Sequence, residues 1–204
     1  MSSALDPMKV LEGYCHGAFP MADPDSGQID LFVCQPRCVL SLEAGGIRVP
    51  SSLARRVRSG RFGVTWNQSF REVVAACARE RSSENRSWIS PELAACYETL
   101  HERGFAKSVE AWRSERLVGG LYGIALRGAF FGESMFCRPD LGGTDASKVC
   151  LVELVRALRA AGFALLDCQY SNPHTLSLGG VEIALDEYLA RLRCALKLAP
   201  RALP

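Results

Sequence analysis

Two short stretches of this chain place acids and an amide on otherwise apolar strands: Phe131-Gly132-Glu133-Ser134-Met135-Phe136, and Asp167-Cys168-Gln169 about thirty residues later. Alternation along a strand predicts that Glu133 shares a face with Phe131 and Met135. It likewise predicts that Asp167 and Gln169 point together while Cys168 points away. A buried carboxylate costs several kcal/mol, roughly the scale of the pKa shifts seen in buried acids, unless a cation or hydrogen-bond donors compensate it. An acidic, apolar-walled pocket that receives something cationic or amine-bearing is one reading. The other is that both acids pair with arginines of the same chain.

The elements that must position these groups follow from periodicity and punctuation. Asp6-Pro7 reads as an N-cap and first helical residue, opening a helix to about Gly13. Prolines and glycines between residues 20 and 50 leave room for only brief strands. Ser51 or Ser52 caps a turn through Leu53 and Val57 that carries Arg55, Arg56 and Arg58, with Arg61 just beyond. A strand over Phe62 to Trp66 is followed by two helices, one through Phe70, Val73, Val74 and Cys77, the other opened by Ser90-Pro91. Residues 105–113, 116–126 and 129–136 read as an antiparallel meander. A helix from about 146 to 161, a strand from Phe163 to Tyr170 and a last helix over about 186–197 complete the chain. We expect an α+β fold with a mixed, mainly antiparallel sheet, divided into a small N-terminal lobe (1–61) and a larger domain (62–204).

Composition narrows the function classes. With 204 residues, 48% of them hydrophobic, the chain can bury a substantial core. Its net charge of +2 argues against a DNA-coating protein, so any nucleic-acid contact must come from a local basic patch. The nine cysteines form neither a paired framework nor a zinc motif, and the histidines lack ligand spacing, so we expect reduced thiols and no metal. The absence of an apolar leader or of about 20 consecutive apolar residues predicts a cytoplasmic protein with no membrane partner.

The chain resembles the bacterial leucyl/phenylalanyl-tRNA–protein transferases. The resemblance rests on Gly17-Ala18-Phe19-Pro20-Met21, Ser87-Trp88-Ile89, Tyr97 to His101, Ser108-Val109-Glu110-Ala111-Trp112, Leu117 to Gly123, Gly132 to Phe136, Ala146-Ser147-Lys148, Asp167-Cys168-Gln169 and His174 to Gly179, in that order. The order of elements is that of a GNAT-like acyltransferase domain. The resemblance implies transfer of leucine or phenylalanine from aminoacyl-tRNA to proteins beginning with arginine or lysine, which marks them for degradation; no cofactor is implied. It assigns Glu133 to recognition of the acceptor side chain, and Asp167 and Gln169 to proton handling. It also suggests that Trp88 stacks on the terminal adenosine.

Residue chemistry is compatible with that role. An aminoacyl ester is already activated, so positioning an α-amine and easing its deprotonation suffice. The Gln169 carbonyl is expected to accept from the amine while its side-chain amide donates to Asp167. Phe131, Met135, Phe136 and Leu151 are candidate walls of the donor side-chain hole, where a methylene is worth about 1–3 kcal/mol, so methionine is a third possible donor. Arg55, Arg56, Arg58 and Arg61 are candidates for tRNA phosphates. Relatives usually carry a tryptophan pair where this chain has Leu31 and Phe32; Phe32 can still stack on a base. The glycine-containing loop 138–145 is expected to be mobile. Two other readings remain: a non-catalytic reader of basic N-termini, and an acetyl-CoA-dependent N-acetyltransferase, the latter disfavoured by Asp140 and Asp145 beside the glycines.

Overall fold

The computed structural model describes residues 5–79 and 87–204. Helix α1 (Pro7–Cys15) starts where the sequence places it: the Asp6 carboxylate accepts from the Met8 amide at 2.9 Å, and Pro7 takes the first helical position. Strands β1 (Phe19–Ala22) and β2 (Ile29–Phe32) pair as an antiparallel ribbon. Next come β3 (Arg37–Leu40), α2 (Ser51–Arg58), β4 (Gly63–Trp66), α3 (Phe70–Cys77) and α4 (Pro91–Glu102). The expected meander is β5 (Ala106–Arg113), β6 (Arg116–Leu126) and β7 (Ala129–Cys137). The chain then runs through α5 (Ala146–Ala161), β8 (Leu165–Asp167), α6 (Pro173–Ser177), β9 (Val181–Ile183) and α7 (Leu185–Ala195). From β4 onward the elements follow the order expected from the sequence, with α6 and β9 added before the last helix.

Seven strands form one sheet in the order β4-β5-β6-β7-β8-β3-β9, in which only β7 and β8 run parallel. Strand β3 comes from the N-terminal segment, yet it pairs with both β8 and β9 and all four of its residues are buried. A strand from the first 61 residues therefore shares one sheet with strands from the rest of the chain. Helices cover both faces. On one, α1, α3, α4 and α7 enclose a core that includes Tyr14, Phe70, Tyr97, Tyr122, Phe131, Phe136 and Tyr188. On the other, α2 and α5 pack Leu53, Val149, Leu151, Leu154 and Leu158 against Leu40, Phe130 and Leu166.

Two local departures from regular strands matter most. In the β6–β7 ladder Tyr122 pairs with Ser134 but Gly123 pairs with Gly132, so Glu133 is the extra residue of a bulge. Gly123 is required there, because a Cβ would meet the Phe131 carbonyl oxygen at 2.2 Å. Strand β8 stops at Asp167 instead of continuing to Tyr170, since Gln169 adopts a left-handed φ of 52°.

Candidate active site

The bulge redirects β7. Phe131 and Phe136 both pack into the tyrosine-rich core, although five residues apart, whereas Met135 packs against the opposite core with Leu151. The expectation that Glu133, Phe131 and Met135 share one face is thereby corrected. The inserted residue shifts the alternation, and the sheet divides the four candidate donor-pocket walls two and two.

Glu133 stands on the tyrosine side. Tyr97 from α4 donates its hydroxyl to Glu133 Oε2 at 2.9 Å, and Tyr14 from α1 lies 3.2 Å from the Tyr97 hydroxyl. The Gln169 side-chain amide donates to Glu133 Oε1 at 3.1 Å. Part of the residue meets solvent, but burial of the carboxyl pushes its pKa up to about 7; hydrogen bonds from Tyr14 and Tyr97 hold it down, and nearby Asp167 pushes it further up. Among the described residues no lysine or arginine forms an ion pair with it. The buried Tyr122 hydroxyl, in the same cluster, has no hydrogen-bond partner among the described residues.

Asp167 is arranged otherwise. Arg37 Nε donates to its Oδ1 at 2.9 Å and Arg37 Nη2 to its Oδ2 at 2.6 Å, with both side chains fully buried. The Tyr188 hydroxyl donates to Oδ2 at 2.8 Å and the Gln169 backbone amide to Oδ1 at 2.9 Å. Four donors fill the lone-pair sites of a carboxylate. The guanidinium also donates to the Gly17 carbonyl and stacks on the rings of Phe19 and Tyr188. Burial opposes its charge, yet Asp167 overrides this and leaves the Arg37 pKa above its ordinary value. Two expectations change as a result. Asp167 is neutralised within the chain and does not face the pocket as a free charge. The Gln169 side-chain amide goes to Glu133, and it is the backbone N–H of Gln169 that reaches Asp167.

The Gln169 side chain turns its NH2 toward Glu133 and its Oε1 away. The site thus consists of an amide oxygen held from two sides beside a carboxyl whose pKa lies near neutrality. Sequence reasoning missed Arg37, Tyr14, Tyr97 and Tyr188. The available signal was a set of tyrosines at apolar helix positions, whose hydroxyls need partners once buried.

The arginines separate into two pairs. Arg56 donates to the Thr144 carbonyl and pairs with Asp145 at 3.3 Å, while Arg61 donates to the Gly142 carbonyl at 3.4 Å. Loop 138–145 is held by these contacts, by Lys148 on Asp145 and by Arg138 on the Leu117 carbonyl. Arg55 and Arg58 lie exposed on α2 and have no ion-pair partner among the described residues. Phe32 is exposed on β2. Trp88 is half-buried against the tyrosine-side core, and its carbonyl accepts from Ala22 of β1.

A family model described as leucyl/phenylalanyl-tRNA protein transferase matches residues 39–193, and one for that transferase's N-terminal domain matches residues 3–31. The leucyl/phenylalanyl-tRNA–protein transferase of Rubrobacter xylanophilus is 49% identical over 195 residues, covering 95% of this chain and 96% of its own. The protein of that name from Rhizorhabdus wittichii is 48% identical over 193 residues, covering 95% and 76%. Among solved structures, a ribosomal-protein-alanine N-acetyltransferase from Brucella melitensis biovar Abortus 2308 aligns with a TM-score of 0.40 at 14% identity, over 56% of this chain and 85% of that one. Among the described residues, no helix is long and apolar enough to cross a membrane.

Proposed function

This chain belongs to the leucyl/phenylalanyl-tRNA–protein transferase family, whose chemistry is aminoacyl transfer from tRNA to protein, and we propose that its donors are leucine, phenylalanine and methionine and its acceptors are proteins with N-terminal arginine or lysine. The modified proteins are thereby marked for degradation. The observation that carries this reading is Glu133, a carboxyl with a pKa near 7, held by Tyr97 and Gln169 and with no cationic partner among the described residues. A guanidinium or ammonium entering that recess supplies the missing charge and converts Glu133 to its ionised form.

The acceptor α-amine then lies against Gln169 Oε1, which accepts one of its hydrogens and aims the nitrogen lone pair at the ester carbonyl carbon. A carbon–nitrogen bond forms, and the ester bond to the ribose oxygen of the terminal adenosine breaks. The departing oxygen takes up the proton that the amine loses. Asp167 does not touch the amine in this scheme. With Arg37 and Tyr188 it holds the backbone of Gln169, so that an unfavourable backbone conformation is kept in register with the reaction. Arg55 and Arg58 contact tRNA phosphates, and Phe32 and Trp88 stack on bases at the acceptor end.

The test is mass spectrometry of an Arg-starting peptide incubated with Leu-tRNA and the protein. The proposal requires a product heavier by one leucine residue, lost when the peptide begins with an acidic residue. Peptide binding without any leucine addition would refute transfer and leave a reader of basic N-termini.

A further inference from the structure

Cys38 and Cys168 face one another across β3 and β8. The register pairs Val39 with Asp167, and one step further the Cys168 amide donates to the Cys38 carbonyl at 2.9 Å. The Cys38 amide donates onward to the Gln169 carbonyl at 2.8 Å, so Cys168 and Gln169 together oppose Cys38. Both thiols lie on the sheet face opposite Asp167 and Gln169: Cys38 is fully buried beside the Thr175 hydroxyl, and Cys168 packs against the α5-side core while remaining partly open to solvent. Directly opposed residues of an antiparallel pair have Cβ atoms about 4.5–5.5 Å apart, close to the roughly 3.5–4.5 Å that a disulfide needs.

We propose that Cys38 and Cys168 form a reversible cross-strand disulfide on exposure to peroxide, and that this bond switches the transferase off. A hydrogen bond from the Cys168 thiol, with the Thr175 hydroxyl alongside, outweighs burial and lowers the Cys38 pKa to about 7. Cys168, the donor, keeps its proton, because that bond and burial push its pKa well above the ordinary thiol value, and Cys38 is the thiolate of the pair. The Cys38 thiolate attacks one peroxide oxygen; the O–O bond breaks, hydroxide leaves as water after taking a proton, and Cys38 becomes a sulfenic acid. The Cys168 sulfur then displaces the hydroxyl group, which departs as a second water with the Cys168 proton, and the S–S bond closes. Two thiols are oxidised by two electrons and one peroxide is reduced.

The consequence for activity rests on the function proposed above, because it works through Gln169. Closing the bond draws Cys168 toward β3 and shifts the adjoining residue, whose amide oxygen is positioned by its contacts with Glu133 and Asp167. A displacement of about 1 Å in such a group costs up to a hundredfold in rate. The other seven cysteines are dispensable to the argument, and the exposed Cys15, Cys137 and Cys194 serve as internal controls.

The reduced full-length protein is treated with hydrogen peroxide, alkylated, and digested for peptide mapping. In parallel it is assayed for leucine transfer before and after reduction with a dithiol. The expected result is a linked Cys38–Cys168 peptide pair lighter by two hydrogens, with transfer falling about tenfold to a hundredfold and recovering on reduction. Cys38→Ser, or Cys168→Ser should the first misfold, forms no linked pair and keeps its transfer activity through the same treatment. Full alkylation of both residues after peroxide, with oxidation confined to Cys15, Cys137 or Cys194, overturns the disulfide. A linked pair with unchanged transfer overturns the switch. If the reduced protein transfers no leucine at all, it is the proposed function that fails, and the peptide map still decides the bond.

Discussion

Arg37 and Asp167 meet side-on across β3 and β8 through two hydrogen bonds of 2.9 and 2.6 Å, both side chains fully buried. The pair ties β3 to β8, the strand that ends at the candidate site. Arg37 adds the Gly17 carbonyl and the faces of Phe19 and Tyr188, so one cation organises β1, β3, β8 and α7. The negative charge that the sequence places at Asp167 is spent inside the fold, and Glu133 is left as the acid of the cluster with no ion pair among the described residues.

Removing one member of that pair should damage the whole molecule. Arg37→Met leaves a buried, uncompensated carboxylate, a change that costs about 3–5 kcal/mol. We expect a matching loss in chemical denaturation, with transfer activity falling in proportion to the folded fraction. A variant as stable as the parent would show that the pair is not what holds β3 in the sheet.

Glu133→Gln keeps the side chain's shape and removes its charge. If Glu133 receives the acceptor's cation, kcat/KM for Arg- or Lys-starting peptides should drop by about 1.5–3 kcal/mol, the worth of a charge-assisted hydrogen bond. Thermal stability should change little. Unaltered kinetics for basic acceptors would take Glu133 out of recognition.

The two exposed arginines of α2 give a separate test. Arg55→Gln and Arg58→Gln should each weaken aminoacyl-tRNA binding and flatten the dependence of log K on log salt by roughly 0.7–0.9, the contribution of one lost phosphate contact. Peptide KM should not move. Arg56→Gln should instead loosen loop 138–145, read as faster hydrogen exchange around Thr144, because Arg56 is engaged with that loop. An unchanged salt slope in both Arg55 and Arg58 variants would place the tRNA elsewhere.

Helices, meander and sheet class were legible because their signals are local: Asp6-Pro7 and Ser90-Pro91 as caps, Gly162 as a stop, strict turns between β5, β6 and β7. The site was legible in composition and not in geometry. Alternation predicts faces only for regular strands, and the inserted Glu133 and the left-handed Gln169 break regularity at the two places that matter. No periodicity shows that β3 crosses to lie between β8 and β9, because that pairing is fixed by long-range burial of Arg37 and its neighbours. α6 spans one turn and β9 three residues, too short for a pattern to register. The resemblance singled out two acids and an amide that the fold brings together; which acid is left without a cation depended on an arginine 130 residues away from Asp167.

Glu133 also sets a pH dependence whose direction follows from its environment. Burial raises its pKa to about 7, so below that pH the free protein presents a neutral carboxyl and above it a carboxylate. A cationic acceptor binds the ionised form, so KM for an Arg-starting peptide should fall as pH rises through about 7, and binding should release a proton on the acid side. The peptide's own α-amine deprotonates in a neighbouring range, near 7.7–8.0 by roughly the usual value, but it acts on the attacking nitrogen and so chiefly on kcat. Tyr97→Phe separates the two. It removes a hydrogen bond that holds the Glu133 pKa down, and should move the KM inflection to higher pH while leaving the kcat inflection in place. In Glu133→Gln the KM inflection should vanish altogether. A KM profile that is flat in the parent protein, or one that keeps its inflection in Glu133→Gln, would assign the titration to another group.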